Sequence, residues 1–211
     1  MKIKRFYSEL NRHIETGKVL VVFGPRQVGK TTLVEDFLSS TPLKFKLETG
    51  DNIKIQTLFA SQELDRILSY ANPYELIVID EAQKIPNVGV ALKMIVDHLP
   101  NMKIIVTGSS SFDLAGQIGE PLTGRKKTLI LFSISQLELK EEYGAYELEQ
   151  QLESYLIYGS YPEIITAGTN EEKRVKIEEI THSYLLKDVL ALERVKSSKI
   201  LLDLLRLIAF Q

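Results

Sequence analysis

The stretch Gly24-Pro25-Arg26-Gln27-Val28-Gly29-Lys30-Thr31 sets two glycines, a lysine and a hydroxyl at the spacing G-x-x-x-x-G-K-[ST], between an apolar run and a helical pattern. That combination predicts a loop wrapped around phosphate. Glycines let backbone amides approach the oxygens, and the helix that follows offers unpaired N–H groups and a positive dipole end. Lys30 would neutralise β and γ oxygens, and Thr31 would place its hydroxyl on Mg²⁺. The expected cradle for ATP or ADP is therefore Gly24, Pro25, Arg26, Gln27, Val28, Gly29, Lys30, Thr31 and Thr32.

Further along, the apolar run 76–79 leads directly into Asp80-Glu81. Asp80 is expected in the magnesium shell with Thr31. Residues leaving a strand point in successive directions, so Glu81 is expected to face the attacking water as general base, an effect of roughly 10² to 10⁴ in rate. A third run ends in Thr107-Gly108-Ser109-Ser110-Ser111. Ligands of parallel sheets lie beyond the carboxyl ends of the strands, so Ser109 or Ser110 is a candidate for reaching the γ-phosphate or water, with a plain loop or helix cap as the alternative. Arg125, in Pro121-Leu122-Thr123-Gly124-Arg125, is a candidate for stabilising transition-state charge in its own or a neighbouring subunit; the alternative is a surface arginine beside Lys126 and Lys127.

Two other phosphate-loop chemistries fit less well. A GTPase calls for D-x-x-G after the acidic strand and an Asn-Lys-x-Asp loop, whereas position 83 is Gln and no such loop occurs. A small-molecule kinase usually carries an arginine-rich lid, while this chain carries an Asp-Glu pair suited to activating water. Hydrolysis is favoured over transfer.

The elements that must hold these residues are legible as apolar runs at 19–23, 76–79, 104–106 and 129–132, with a weaker one at 45–47. Leu33, Val34, Phe37 and Leu38 mark a helix between the first two, and Val88, Leu92, Ile95 and Leu99 mark another. Parallel strands need such long connections, so the fold class is α/β, a parallel sheet flanked by helices. This core is expected over 1–140, followed by a helical region over 141–211. There Leu148, Leu152, Tyr155 and Leu156 predict one amphipathic helix, Gly159-Ser160-Tyr161-Pro162 a break, and 171–179 a solvated helix face. The apolar ending at 200–210, without a C-cap residue, reads as a chain cut inside a larger protein.

The 211 residues include no cysteine, which excludes disulfides, thiolate metal sites and a cysteine nucleophile and fits a reducing, cytoplasmic setting. His13, His98 and His182 lack ligand spacing, so no zinc centre is expected. No apolar run approaches the ~20 residues of a membrane span. Lys plus Arg number 26 against 28 Asp plus Glu, and a net charge of -2 gives DNA binding no bulk support.

The segments GPRQVGKTTL (24–33), VIDEAQKIP (78–86), TGSSSFDL (107–114), PLTGRKKTLILFSISQLEL (121–139) and YGSYPEI (158–164) together resemble a family of bacterial and archaeal AAA+ P-loop ATPases. The likeness implies Walker A at Lys30 and Thr31, Walker B at Asp80 and Glu81, a sensor-1-like residue at Ser109 or Ser110, and a further C-terminal domain. Gly159 to Pro162 is similar to the Gly-x-Pro element of signal-transducing (STAND-like) ATPases, with one extra residue between Gly and Pro. Arg174 and Arg194 lack the setting of a second sensor. The expected function is Mg²⁺-dependent ATP hydrolysis coupled to a C-terminal effector region, which would also carry any protein partner or self-association. The alternative is a nucleotide-gated switch or scaffold with little turnover.

Overall fold

The computed structural model describes residues 3–109, 116, 118–181 and 198–210. They form two compact units, Lys2–Glu142 and Tyr143–Gln211.

In the first unit, strands β1 (Val19–Phe23), β2 (Phe45–Thr49), β3 (Leu76–Asp80), β4 (Lys103–Gly108) and β5 (Lys126–Ile130) form one sheet in the order β2-β3-β4-β1-β5. Every pairing is parallel. The three central strands are buried along nearly their whole length, which is why they read as unbroken apolar runs. At the edge, β2 alternates between exposed and half-buried residues, so its apolar signal is weak. β5 corrects the expected boundary. The apolar run 129–132 marks only its second half, because the ladder with β1 begins at the half-exposed Lys126 and pairs Val19 through Phe23 with Lys126 through Ile130. Leu131 continues it, its N–H donating to the Phe23 carbonyl at 2.7 Å.

Helices α1 (Lys30–Ser40) and α4 (Val88–His98) stand where the apolar spacing predicts them. Two more, α2 (Ile53–Ala60) and α3 (Leu64–Ala71), join β2 to β3, and α5 (Gln136–Glu142) follows the sheet. Short 3-10 turns occupy Leu10–Arg12 and Ala82–Lys84. Alternate residues of the central strands, among them Val21, Ile77, Ile79, Ile104 and Val106, pack with Ile55, Phe59, Ile67, Leu92 and Ile95 of α2, α3 and α4 into one buried layer. The chain is therefore an α/β sheet covered by helices, with all strand carboxyl ends on one edge.

The second unit is helical: α6 (Ala145–Gln150), α7 (Leu152–Tyr158), α8 (Pro162–Ile165), α9 (Asn170–Ile180) and α10 (Ser198–Ala209). The single helix expected through Leu148 and Leu156 is two. Gln151 leaves helical geometry at φ -97°, ψ 2°. Its N–H is shared at 3.2 Å between the Glu147 and Leu148 carbonyls, which tightens and ends α6. The break at 159–162 is a helix-to-helix turn: Gly159 ends α7 at φ 76° and Pro162 opens α8 at its first position. A Thr169–Glu172 capping box starts α9, none of whose residues is buried. Arg174 there pairs with Glu171 on the same helix, while His182 and Arg194 lie outside the described residues. No described helix is long and apolar enough to cross a membrane.

Candidate nucleotide-binding site

β1 is fully buried and ends at Phe23, so residues 24–29 must turn sharply before α1 begins. Three of them have positive φ, Gly24 at 156°, Gln27 at 60° and Gly29 at 94°. Gly29 is the N-cap of α1 and accepts the first helical bond, Leu33 N–H to Gly29 O at 2.9 Å. A side chain at 29 would strain that geometry, and the absence of a side-chain cap leaves the first N–H groups of α1 to whatever lies in the loop.

Lys30 is 95% buried, its relative exposure being 5%, and its ammonium lies over the loop. Nζ donates to the Gly24 carbonyl at 3.0 Å and the Pro25 carbonyl at 2.8 Å. Its positive charge therefore sits against the carbonyls of the loop's first two residues. Pro25, Thr31 and Thr32 are exposed, and Arg26 is half-buried.

The acidic strand tip comes to the same place. Thr31 Oγ1 donates to Asp80 Oδ2 at 2.9 Å, across 49 residues of sequence. β4 lies between β1 and β3, so its last residues separate the loop from the strand tip. Thr107, fully buried, donates its hydroxyl to Asp80 Oδ1 and accepts the Glu81 N–H at 3.1 Å. Both Asp80 oxygens are thereby aimed by hydroxyls. Thr107 joins this cluster although spacing alone did not single it out; a polar residue closing an apolar strand is the signal for it.

Glu81 leaves β3 in left-handed backbone at φ 52° and caps the 3-10 turn. Its Oε2 accepts from Gln83 Nε2, while Gln83 Oε1 is buried with no hydrogen-bond partner. Gly50, just past β2, lies against this turn. A methyl at position 50 would come within 2.2 Å of the Glu81 carbonyl oxygen, so only glycine fits.

A cavity of about 290 Å³ opens beside Thr31 and Asp80, lined also by Val34, Glu35, Leu47, Glu48 and Thr49. Tyr70 closes its wall by donating to Glu48 Oε1 at 2.9 Å. Burial, and then the neighbouring Glu48 carboxylate, push the Tyr70 phenol above its usual range, so it remains a donor. The donors facing the cavity are hydroxyl and carboxylate oxygens, which suit Mg²⁺. Among the described residues no group of three or more His, Cys, Asp or Glu side chains could hold a metal alone. Mg²⁺ commonly relies on one or two carboxylates plus substrate phosphates, so this donor set fits it.

Of the other predicted residues, Ser109 is fully buried immediately after β4, at the carboxyl edge, and Ser110 lies outside the described residues. Arg125 stands at the opposite edge. It precedes β5, its carbonyl receives the Val19 N–H at 2.8 Å, and its Nε donates to Asp97 of α4 at 2.6 Å. A five-residue strand spans roughly 16 Å, so within its own chain Arg125 does not join Lys30, Thr31 and Asp80.

One further residue reaches the loop, and a second holds it there, unannounced by any local pattern. Arg5, before β1, donates to the Val28 carbonyl at 2.6 Å and to Glu138 of α5 at 2.9 Å. With Phe6, Ile130, Phe132 and Leu137 they line a second cavity of about 760 Å³.

Sequence comparison agrees with this geometry. The chain is 29% identical over 185 residues to uncharacterized proteins of Mycobacterium tuberculosis and Mycobacterium bovis, covering 86% of this chain and 38% of theirs. An uncharacterized protein of Methanocaldococcus jannaschii is 26% identical over 232 residues, covering 97% of this chain and 51% of its own length. The chain thus spans about half or less of the length of these relatives. Residues 149–211 match a domain of unknown function. Residues 16–140, which hold the loop, the acidic strand tip and Thr107, match the model of the AAA domain, and the chain belongs to that family of ATPase-type, nucleotide-binding domains.

Proposed function

We propose that this chain binds ATP or ADP with Mg²⁺ and hydrolyses ATP to ADP and phosphate. The contact between Thr31 Oγ1 and Asp80 Oδ2 carries the reading, because it joins the hydroxyl after the lysine to the acid at the end of β3. Residues 24–32 would hold the phosphate chain, with Lys30 exchanging its carbonyl contacts for phosphate oxygens. Thr31 and Asp80 would hold Mg²⁺, which when bound supplies charge neutralisation for the phosphates. Glu81 would accept the proton of a water attacking the γ-phosphorus as the bond to the β-γ bridging oxygen breaks and ADP leaves. Thr107 would keep Asp80 and the Glu81 backbone in register, and Ser109, just past the end of β4, would be the residue to meet the γ-phosphate.

Replacement of Lys30 by Ala is expected to abolish binding, measured by titration calorimetry with ATP and Mg²⁺. Glu81→Gln is expected to retain ATP and stop phosphate release. Normal turnover in Glu81→Gln would refute the base assignment.

One observation favours a second reading, a nucleotide-gated switch with little turnover. The Glu81 carboxylate is engaged by the Gln83 amide, a contact it would have to give up to turn toward an attacking water. Steady-state phosphate release by wild-type protein decides between the two. On either reading the nucleotide state would be passed to the helical unit and to a C-terminal effector region, including any protein partner or a second copy. The turn at Gly159 to Pro162 is the proposed relay, as in signal-transducing ATPases. DNA binding has no support in the net charge of -2.

A further inference from the structure

We infer that Arg5 is a positioning residue for the phosphate loop, held in place by Glu138; the inference rests on the nucleotide-binding reading of residues 24–32. The Arg5 guanidinium uses all three of its nitrogens, each on a different segment. Nε donates to Glu138 Oε1 at 2.9 Å, Nη1 to the Val28 carbonyl at 2.6 Å and Nη2 to the Phe132 carbonyl at 2.6 Å. Glu138 is equally committed. Its Oε1 also accepts the Phe6 N–H at 2.7 Å, and its Oε2 accepts the Ser135 N–H at 2.8 Å and hydroxyl at 3.0 Å.

Side-chain exposure is 11% for Arg5 and 9% for Glu138. Two charges so far from water are costly to desolvate, so the pair is weak evidence for added stability, while its hydrogen bonds fix the geometry of three segments. The geometry specified is that of the loop. Val28 lies within it, and the Val28–Gly29 peptide is trans. A trans peptide is planar, with carbonyl and N–H on opposite sides, so drawing the Val28 oxygen toward Arg5 turns the Gly29 N–H the other way. Arg5 thus sets the direction of a loop amide without touching the ligand. Lysine could not do the same, because a single ammonium lacks the rigid fork that reaches three acceptors in fixed directions.

The test uses the full 211-residue chain with Arg5→Met, Arg5→Lys and Glu138→Gln. Without nucleotide, amide exchange at Gly29 and Lys30 is expected to quicken in Arg5→Met while exchange in β1 and β3 stays unchanged. With ATP and Mg²⁺, Kd is expected to rise roughly 10- to 100-fold, while turnover at saturating ATP stays within about 3-fold of wild type. Arg5→Lys is expected not to rescue either property. Should Arg5→Met fail to fold, Glu138→Gln, which keeps a hydrogen-bonding partner for Arg5, is expected to shift the same two amides by less. Unchanged Gly29 exchange and ATP affinity, or a lower melting temperature as the sole effect, would overturn the inference, as would full rescue by lysine. If wild-type protein binds no ATP yet Arg5→Met still quickens Gly29 exchange, the clamp stands and the nucleotide reading falls.

Discussion

Replacing Gly50 with alanine tests how tightly the sheet edge controls Glu81. Gly50 has ordinary backbone geometry, so glycine is required by space alone. Its N–H donates to the Asp80 carbonyl at 2.7 Å, which presses the β2 exit against the turn after β3. An added methyl would lie 2.2 Å from the Glu81 oxygen, 3.0 Å from its carbonyl carbon and 3.2 Å from Lys84 Cβ. Relief of the first contact to the 3.0 Å limit needs a shift of at least about 0.8 Å, the difference between 3.0 and 2.2. The obstacle is main chain, and the same oxygen already accepts the Lys84 N–H at 3.0 Å, so no rotamer change absorbs the clash. Overpacking of this kind costs about 1–3 kcal/mol, a fall in melting temperature of roughly 2–12 °C for a chain of this size. Displacement of a reacting group by nearly an ångström costs on the order of 10² in rate. Lys30 and Thr31 are untouched, so ATP affinity is expected to stay within about 3-fold of wild type. Phosphate release, calorimetric titration and scanning calorimetry on Gly50→Ala measure the three quantities. Wild-type turnover together with an unchanged melting temperature would refute the packing argument; lowered stability with wild-type turnover would show that the turn's position does not govern Glu81.

Thr107→Val keeps the shape of a fully buried side chain but removes the hydroxyl that serves Asp80 and the Glu81 N–H. Leaving those groups unpaired is expected to cost about 1–3 kcal/mol, read by scanning calorimetry, and to lower turnover in parallel. Glu138 provides a pH-dependent check. Burial by itself raises its carboxyl pKa, but the Ser135 and Phe6 N–H groups and the Arg5 guanidinium outweigh it and hold the group below 4.5. A lowered folded-state value means that its contribution is fully present above 4.5 and is lost as pH falls through the folded-state value. The gap in melting temperature between wild type and Glu138→Gln is therefore expected to be widest near neutral pH and to close on acidification; a gap independent of pH would contradict the hydrogen-bond assignment.

Local residue order was enough to reveal the glycine turn at 24–29, the central strands and α1 and α4. Each of these rests on interactions between near neighbours: glycine at a left-handed turn, a lysine one residue on, and apolar runs long enough to be buried on both faces. The edge strands were read less well, since β2 and β5 bury little and their boundaries are set by ladder bonds to strands far away in sequence. The split at Gln151 was invisible because the apolar spacing continues across it.

The order β2-β3-β4-β1-β5 belongs to tertiary structure alone, and with it the placement of Thr107 between the loop and Asp80. The parallel pairing of β5 with β1 leaves Arg125 beside Val19, at the amino ends of the strands and away from Lys30. Arg5 and Glu138 are 133 residues apart, so no periodicity or motif links them. Sequence determines which groups can carry charge and where the backbone can turn, because those are properties of single residues and their neighbours. Which of those groups meet is decided by the parallel pairing of strands, which brings distant carboxyl ends to one edge and leaves their amino ends at the other.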